Sequence, residues 1–580
     1  MKIFASGRFD GAREEFDQLS ILTRHFFGRL FRNDIVDFED EMKNRLAAVL
    51  AVLGVLVGWV SALLLFGRYT MGPDANLSWQ EKAYVFIFMM IIFGIVTLLE
   101  WEMLFPDRQD FLNLRPLPIK LRTFFGAKLA SFVIFVGLFS AAMSSLSSLS
   151  FALFLAPWRS SSPLFILRYI GAHLVSAFAA CFFVFFACVF IQFLLMTILP
   201  GGIYTRVSLL FRFLLITAFV FALLAFVVKP DMLDNSLRSL ARLKDGQAAF
   251  IYRFPPLWFV GLYEVLLGNR DPVFAAQARA AGLALVFSLG SFLLASGLSY
   301  QRHVRRTLEA RKTRPRFFRL RERAGELVQA AVFWTPEERA VAAFFSKTVR
   351  ASPKHRLTLT NFMAVAAGFM LMIMAAYRRG FRVLTFENIN LLVQPVLLGA
   401  VLLVALWTIV NIPVTPGARW IFQVSETDRR NRPVAGMKKA IFFKLFLPLA
   451  LIVFLSSLFL WRDWRSALNH ALFDLVVSIL AIEAFFYRYR KIPFACASLP
   501  GKLLKTRGVS FILALIAAVA IMPVIERSLL RNPSGFGLFL GFSAVFWIWL
   551  KVDSLRYLRT HPLIYDEEPE SVFVTFLEDE

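Results

Sequence analysis

Long apolar runs separated by short polar and basic segments dominate the chain. Crossing a hydrocarbon core of about 30 Å as a helix takes roughly 20 apolar residues. Twelve stretches meet or nearly meet this: 46–66, 84–104, 126–156, 170–199, 207–228, 275–298, 358–376, 391–411, 440–461, 468–486, 508–525 and 536–552. The third and fourth are longer than a span needs, which predicts tilt or extension into the interface. Two polar stretches carry helical spacing instead. In 13–32, Phe16, Leu19, Leu22, Phe26, Phe27, Leu30 and Phe31 alternate with polar positions that include Arg13, Arg24, Arg29 and Arg32, which predicts a helix lying in the interface. Thr335-Pro336-Glu337-Glu338 supplies an N-cap, a proline at the first helical position and a capping-box Glu, so a second surface helix starts there. The predicted fold class is an all-α polytopic membrane protein.

The pattern is written twice. Phe26-Phe27-Gly28-Arg29-Leu30-Phe31-Arg32 precedes the first span, and Phe344-Phe345-Ser346-Lys347-Thr348-Val349-Arg350 precedes the seventh. Arg45-Leu46 and Arg356-Leu357 open those spans. After the second span Arg115-Pro116 leads to Phe124-Phe125 and Lys128-Leu129, and after the eighth Arg432-Pro433 leads to Phe442-Phe443 and Lys444-Leu445. Leu199-Pro200-Gly201 follows the fourth span and Leu499-Pro500-Gly501 the tenth. Matches in the same order at equivalent places predict two parallel six-helix repeats, a plan that can enclose a central path. The expected layout is a cytoplasmic amphipathic segment over 1–45, a first six-span unit over 46–298 and a basic cytoplasmic linker with an interfacial helix over 299–357. A second six-span unit over 358–552 and an acidic cytoplasmic tail over 553–580 complete it.

Composition and charge agree. Of 580 residues, 58% are apolar and 18% charged, with 65 Phe, which excludes a soluble globular enzyme. The net charge of +24 sits between the apolar runs, where it sets orientation and meets anionic lipid instead of nucleic acid. Segment 299–357 carries fifteen Lys and Arg and 487–507 carries six, against two each in 157–169 and 526–535. By the positive-inside rule both termini are cytoplasmic. The first 45 residues lack the charged start, apolar core and cleavage site of a signal peptide, so insertion through the spans themselves is expected. Three cysteines, none at metal or redox spacing, exclude a disulfide or zinc scaffold, and Cys181 and Cys188 read as small packing residues.

The loop from Phe105 to Phe125 contains Arg115-Pro116-Leu117-Pro118-Ile119, then a basic residue, then Ala127-Lys128-Leu129 opening the next span. Here the chain resembles the permease subunits of the ABC-2 type exporter family, whose cytoplasmic loop between the second and third spans has this character. The resemblance implies a six-span unit working as a dimer or fused pair in a bacterial cytoplasmic membrane. It also implies that this loop and the amphipathic helix contact a separate ATPase subunit that holds ATP and magnesium. The chain's own partners are then that ATPase and membrane lipid, and the complete membrane unit is one chain or a homodimer. Independently of the name, prolines stiffen the loop, while Leu117 and Ile119 offer an apolar tip. Arg432 and Pro433 occupy the equivalent place in the second half, in a longer loop without Pro-Leu-Pro-Ile.

Two further groups of residues carry candidate chemistry. Arg253 to Glu264, with Pro255, Pro256, Trp258 and Tyr263, is apolar and aromatic but too short to span. It reads either as a re-entrant or interfacial helix capping an outer exit or as a structural aromatic belt at headgroup depth. Glu100, Glu102, His470, Asp474 and Glu483 lie in or at the ends of spans, where an ionisable group is costly. His470 and Asp474, four apart on one helix, form an interhelical hydrogen bond or half of a metal site, and no second pair at ligand spacing accompanies them. There is no phosphate-binding Gly-x-x-x-x-Gly-Lys-Ser/Thr, no Gly-x-Ser-x-Gly and no His-Glu-x-x-His, so no cofactor or catalytic residue is expected in this chain. The leading expectation is the permease of an ATP-driven exporter, and long Phe-rich spans suit a lipidic or amphipathic cargo. The alternatives are a membrane-embedded lipid or glycan transferase using Glu100, Asp474 or Glu483, and an ion-coupled carrier. In the tail, Ser571 to Leu577 is β-prone between acidic clusters, expected to fold back on the basic linker or the partner.

Overall fold

The computed structural model describes residues 3–29, 39–69, 78–99, 119–160, 162–228, 253–309, 332–376, 386–412, 414, 420–424, 426, 431–495 and 507–564. Among these residues the only β pairing is one isolated bridge between Lys491 and Ile564. Among the described residues twelve helices are long and apolar enough to cross a membrane, and each of the twelve predicted runs falls on one of them. Proline opens many helices, at Pro163, Pro255, Pro272, Pro336, Pro353 and Pro533, because its missing N–H is an orphan at that position anyway. The second span runs from Trp79 to Leu99, earlier than the apolar run suggests, because Lys82 lies inside it and finds a buried partner. The chain divides into two compact units, Met1–Arg311 and Lys312–Glu580, each holding six of the twelve candidate spans.

In the first unit, α1 (Ile3–Arg29) is the surface helix, followed by spans α2 (Glu39–Tyr69), α3 (Ser78–Leu99), α4 (Leu121–Arg159), α5 (Pro163–Ile198) and α6 (Gly201–Val228). A short helix α7 (Pro255–Leu266) precedes the sixth span, α8 (Pro272–Glu309). At 39 and 36 residues, α4 and α5 would be ~58 and ~54 Å long at 1.5 Å per residue, well beyond a straight crossing. The α2–α4 contact is close because α2 presents Gly54 and Gly58. A Cβ at Gly54 would lie 2.7 Å from the Ala142 carbonyl oxygen, and one at Gly58 2.6 Å from Leu146 Cβ. Small residues four apart let backbones approach where lipid supplies no hydrophobic drive.

In the second unit, α9 (Pro336–Ala351) is the surface helix, and α10 (Pro353–Ala376) and α11 (Ile389–Val410) are the first two spans. The short α12 (Trp420–Val424) follows. Then α13 (Asn431–Ile441), a π turn (Phe442–Phe446) and α14 (Leu447–Trp461) form one span, before α15 (Trp464–Phe485), α16 (Arg507–Arg531) and α17 (Pro533–Thr560). Asp463 caps α15 by accepting from the Arg465 and Ser466 N–H groups. Within each unit the fourth span is the hub. α5 packs on α3, α4, α6 and α8, and α15 packs on α11, α14, α16 and α17. The second span touches the first and the fifth in both units, and each surface helix lies on the start of its unit's third span.

Candidate functional site

Of the predicted coupling residues, Ile119, Arg432 and Pro433 are described, and they lie where the surface helices meet those third spans. In the first unit Leu19, Leu22 and Phe26 of α1 pack against Phe124 and Ala127 of α4, with Phe26 edge-on to Phe124 at 5.1 Å. Lys120 donates to Glu15 across the same joint. Phe27 is half-buried beside them, whereas Phe16 and Ile21 are about 70% exposed and leave apolar surface open to lipid. Ile119, expected at an exposed tip, is partly buried against this cluster, so its apolar surface is used inside the chain. Arg29 is the last residue of α1. Arg32, Arg115, Pro116, Leu117 and Pro118 lie outside the described residues.

The second unit builds the same joint from different residues. Thr335 caps α9 by accepting from the Glu338 N–H at 3.3 Å, the first half of a capping box, while the Glu338 side chain accepts from the N–H of Trp334, one residue before the cap. Val341, Ala342 and Phe345 bury against Val434, Met437 and Ala440 of α13. Arg432 pairs with Glu337 at 3.0 Å and Lys439 with Glu338 at 2.7 Å. The backbone N–H at the start of α9 and the Arg432 guanidinium hold the Glu337 carboxyl below the usual carboxylate range. Gly436 lets the helices touch, since a Cβ there would lie 2.7 Å from the Glu338 carbonyl oxygen. Phe344 packs on Phe422 and Phe494 at 5.2 and 5.9 Å, while Lys347 and Arg350 are exposed. Arg432 and Pro433, expected in a loop, are in the first turn of α13, because the ion pairs to α9 extend the helix toward the surface.

The predicted outer cap is α7, and most of it is internal. Pro256 and Tyr263 are buried, and Pro255 and Trp258 are half-buried. Tyr263 therefore faces the protein and not a headgroup belt, with Phe86, Tyr169 and His173 around it at ring distances of 6.0, 5.6 and 5.3 Å. Its neighbour Glu264 accepts from Lys82 of α3 at 2.5 Å, with both side chains fully buried. Glu264 also accepts from Arg159 at the end of α4 at 3.2 Å and from Asn269 at 3.1 Å. The Lys82 ammonium sits 4.5 Å from the Tyr263 ring centre and 4.9 Å from that of Tyr169. His173 shares a 2.9 Å hydrogen bond with Ser147 below them. Glu264 thus rivets the short helix to two spans.

A second buried ionic group lies in the other unit. His470 and Asp474, one turn apart on α15, meet Glu526 of α16, and one donor atom from each lies within 4.8 Å of the other two. His470 Nδ1 is in hydrogen-bond contact with Glu526, while Nε2 is 3.9 Å from Asp474. Glu483 is paired with Lys438 at 2.5 Å and so is a structural charge. Glu100 and Glu102, like Pro500 and residues 565–580 of the tail, lie outside the described residues, while 553–560, expected in the tail, continue the last helix. Sequence reasoning missed Lys82, Arg159, Glu264 and Glu526. The first three partner across long chain separations, and Glu526 falls one residue past the apolar run that marked its span.

The architecture is that of a helical multi-pass membrane protein. No family profile, no curated protein and no solved structure matches the chain.

Proposed function

We propose that the chain is the permease of an ATP-driven exporter, two parallel six-span units in one polypeptide, with ATP and magnesium on separate ATPase subunits. The observation that carries this reading is the joint of surface helix and third-span start, which occurs in both units with its own apolar contacts and ion pairs. Such a joint passes a push on the surface helix directly into a span, and the loop resembling the ABC-2 type permeases leads straight into it at Ile119. The neighbour relations that the two sets of spans share, fourth with second, third, fifth and sixth, and second with first and fifth, support reading them as repeats, whereas the extensive packing of the first span on the third in the first unit has no comparable counterpart in the second. Both termini and both surface helices are cytoplasmic in this reading, in a bacterial cytoplasmic membrane, and the cargo is lipidic or amphipathic.

Photo-crosslinkers at the exposed positions Ser20, Arg24, Lys347 and Arg350 test it in native membranes. Adducts with an ATP-binding protein from both helices are expected, and adducts with lipid alone would overturn the reading. The second reading, a membrane-embedded transferase, is favoured by one observation, the buried group around Asp474.

A further inference from the structure

The His470, Asp474 and Glu526 group does not close on itself. The three residues are 2%, 8% and 0% exposed, yet Asp474 Oδ2 and Glu526 Oε2 are buried without a hydrogen-bond partner. Among the described residues no Lys or Arg pairs with either carboxylate. Two carboxylates brought together out of water call for a positive charge between them, and one imidazole shared by both supplies at most one. The neighbouring arginines are engaged elsewhere, Arg527 and Arg531 both bonding Glu387.

Local structure holds the three donors in place. His470 and Asp474 share a face of α15. Pro523, inside α16, lies three residues before Glu526 and so on the same face. Trp461 at the end of α14 covers His470, with ring centres 5.1 Å apart. Asp474 also lines a cavity of about 50 Å³ with Pro395, Gly399, Phe446 and Leu515. Pro395 lies inside α11 and Phe446 ends the π turn, so a π-helical turn borders the space, a feature frequent at functional sites.

We infer that His470, Asp474 and Glu526 form a binding site for one divalent transition-metal ion of the zinc or manganese type. One imidazole nitrogen and two carboxylates suit such ions, whereas calcium and magnesium prefer oxygen donors alone. Donors on one tetrahedral ion at about 2.0–2.2 Å lie ~3.3–3.6 Å apart, so the three donors, now within 4.8 Å of one another, close on an ion with side-chain rotations that move them by about 1 Å. Three protein donors leave a further position for water or an anionic group.

The test uses the full chain without a histidine tag, reconstituted in nanodiscs, stripped with chelator, then equilibrated with Zn²⁺ or Mn²⁺ and washed. Elemental analysis is expected to give one retained ion per chain, and Co²⁺ substitution a visible absorption band. Asp474→Asn and Glu526→Gln should each weaken binding at least ~10-fold, the loss that removing even an outer partner of a ligand causes. The metal should also raise the unfolding temperature of the parent chain and not that of the variants. If the parent chain retains no ion and shows no metal-dependent shift, the group shares a proton instead and the assignment is overturned. Equal affinity in well-folded Asp474→Asn and Glu526→Gln chains would overturn it as well, by placing the ion elsewhere.

Discussion

The rivet under α7 gives an asymmetric double-mutant cycle. Lys82→Met leaves Glu264 with Arg159 at 3.2 Å and Asn269 at 3.1 Å. Glu264→Leu leaves a fully buried ammonium with only the ring faces of Tyr263 and Tyr169, at 4.5 and 4.9 Å. Removing one partner of a buried pair costs ~3–5 kcal/mol, because the other charge stays buried and uncompensated. Lys82→Met is therefore expected near the lower end of that range and Glu264→Leu near the upper. The double variant, which buries no unpaired charge at this position, should lie within ~2 kcal/mol of the parent, the remainder coming from donors on Arg159 and Asn269 that lose their acceptor. Reversible unfolding in mixed micelles, titrated with denaturing detergent, reads all four free energies. Single variants within ~0.5 kcal/mol of the parent, or a double variant equal to the sum of the singles, would refute the reasoning.

Gly436→Val forces its Cβ into the Glu338 backbone and should cost ~1–3 kcal/mol, seen as faster hydrogen exchange of the Val341 to Phe345 amides while spans α15 to α17 stay protected. Glu387 is held at about 2 by hydrogen bonds from Arg531 and Arg527, below its unfolded value. Its stabilising effect is full above about 4.5 and lost as pH falls through that value toward 2. The stability difference between the parent and Glu387→Gln should shrink over that window, and a difference independent of pH would contradict the pairing. Leu117→Asp with Ile119→Asp should insert normally and lose the ATPase partner, because a charged tip entering an apolar groove costs several kcal/mol. Since Ile119 also packs against Phe26 and Phe124, Leu117→Asp alone separates the partner contact from loosening of α1. Co-purification of the single variant at parental yield would remove that role.

All twelve spans were legible because bilayer thickness imposes a run length that survives without any tertiary information. The start of α9 was legible for a local reason too, since Thr335 accepts from the Glu338 N–H and Pro336 has no N–H that would need a partner. What stayed hidden depends on contacts between distant segments. Lys82 looked like the polar flank of a span until Glu264, 182 residues on, neutralised it inside the protein. Tyr263 has the composition of an interfacial aromatic, and only the packing of α7 under α3 and α5 turns it inward. His470 and Asp474 announced themselves by spacing on one helix, but their third member is on another, and periodicity within one helix carries no information about its neighbour. Pro433 read as a loop residue because proline so often is one, although the first turn of a helix accepts it equally well.

In the proposed function this chain carries force from a separate ATPase. The most direct measurement is purification of the intact assembly from its native membrane in mild detergent, followed by subunit stoichiometry and ATP hydrolysis. A fixed ratio of this chain to a subunit bearing a phosphate-binding loop is expected, with hydrolysis that changes when Lys347 and Arg350 on α9 are reversed to Glu. A chain that purifies intact with no nucleotide-binding subunit under any mild condition, and with no associated hydrolysis, would contradict it.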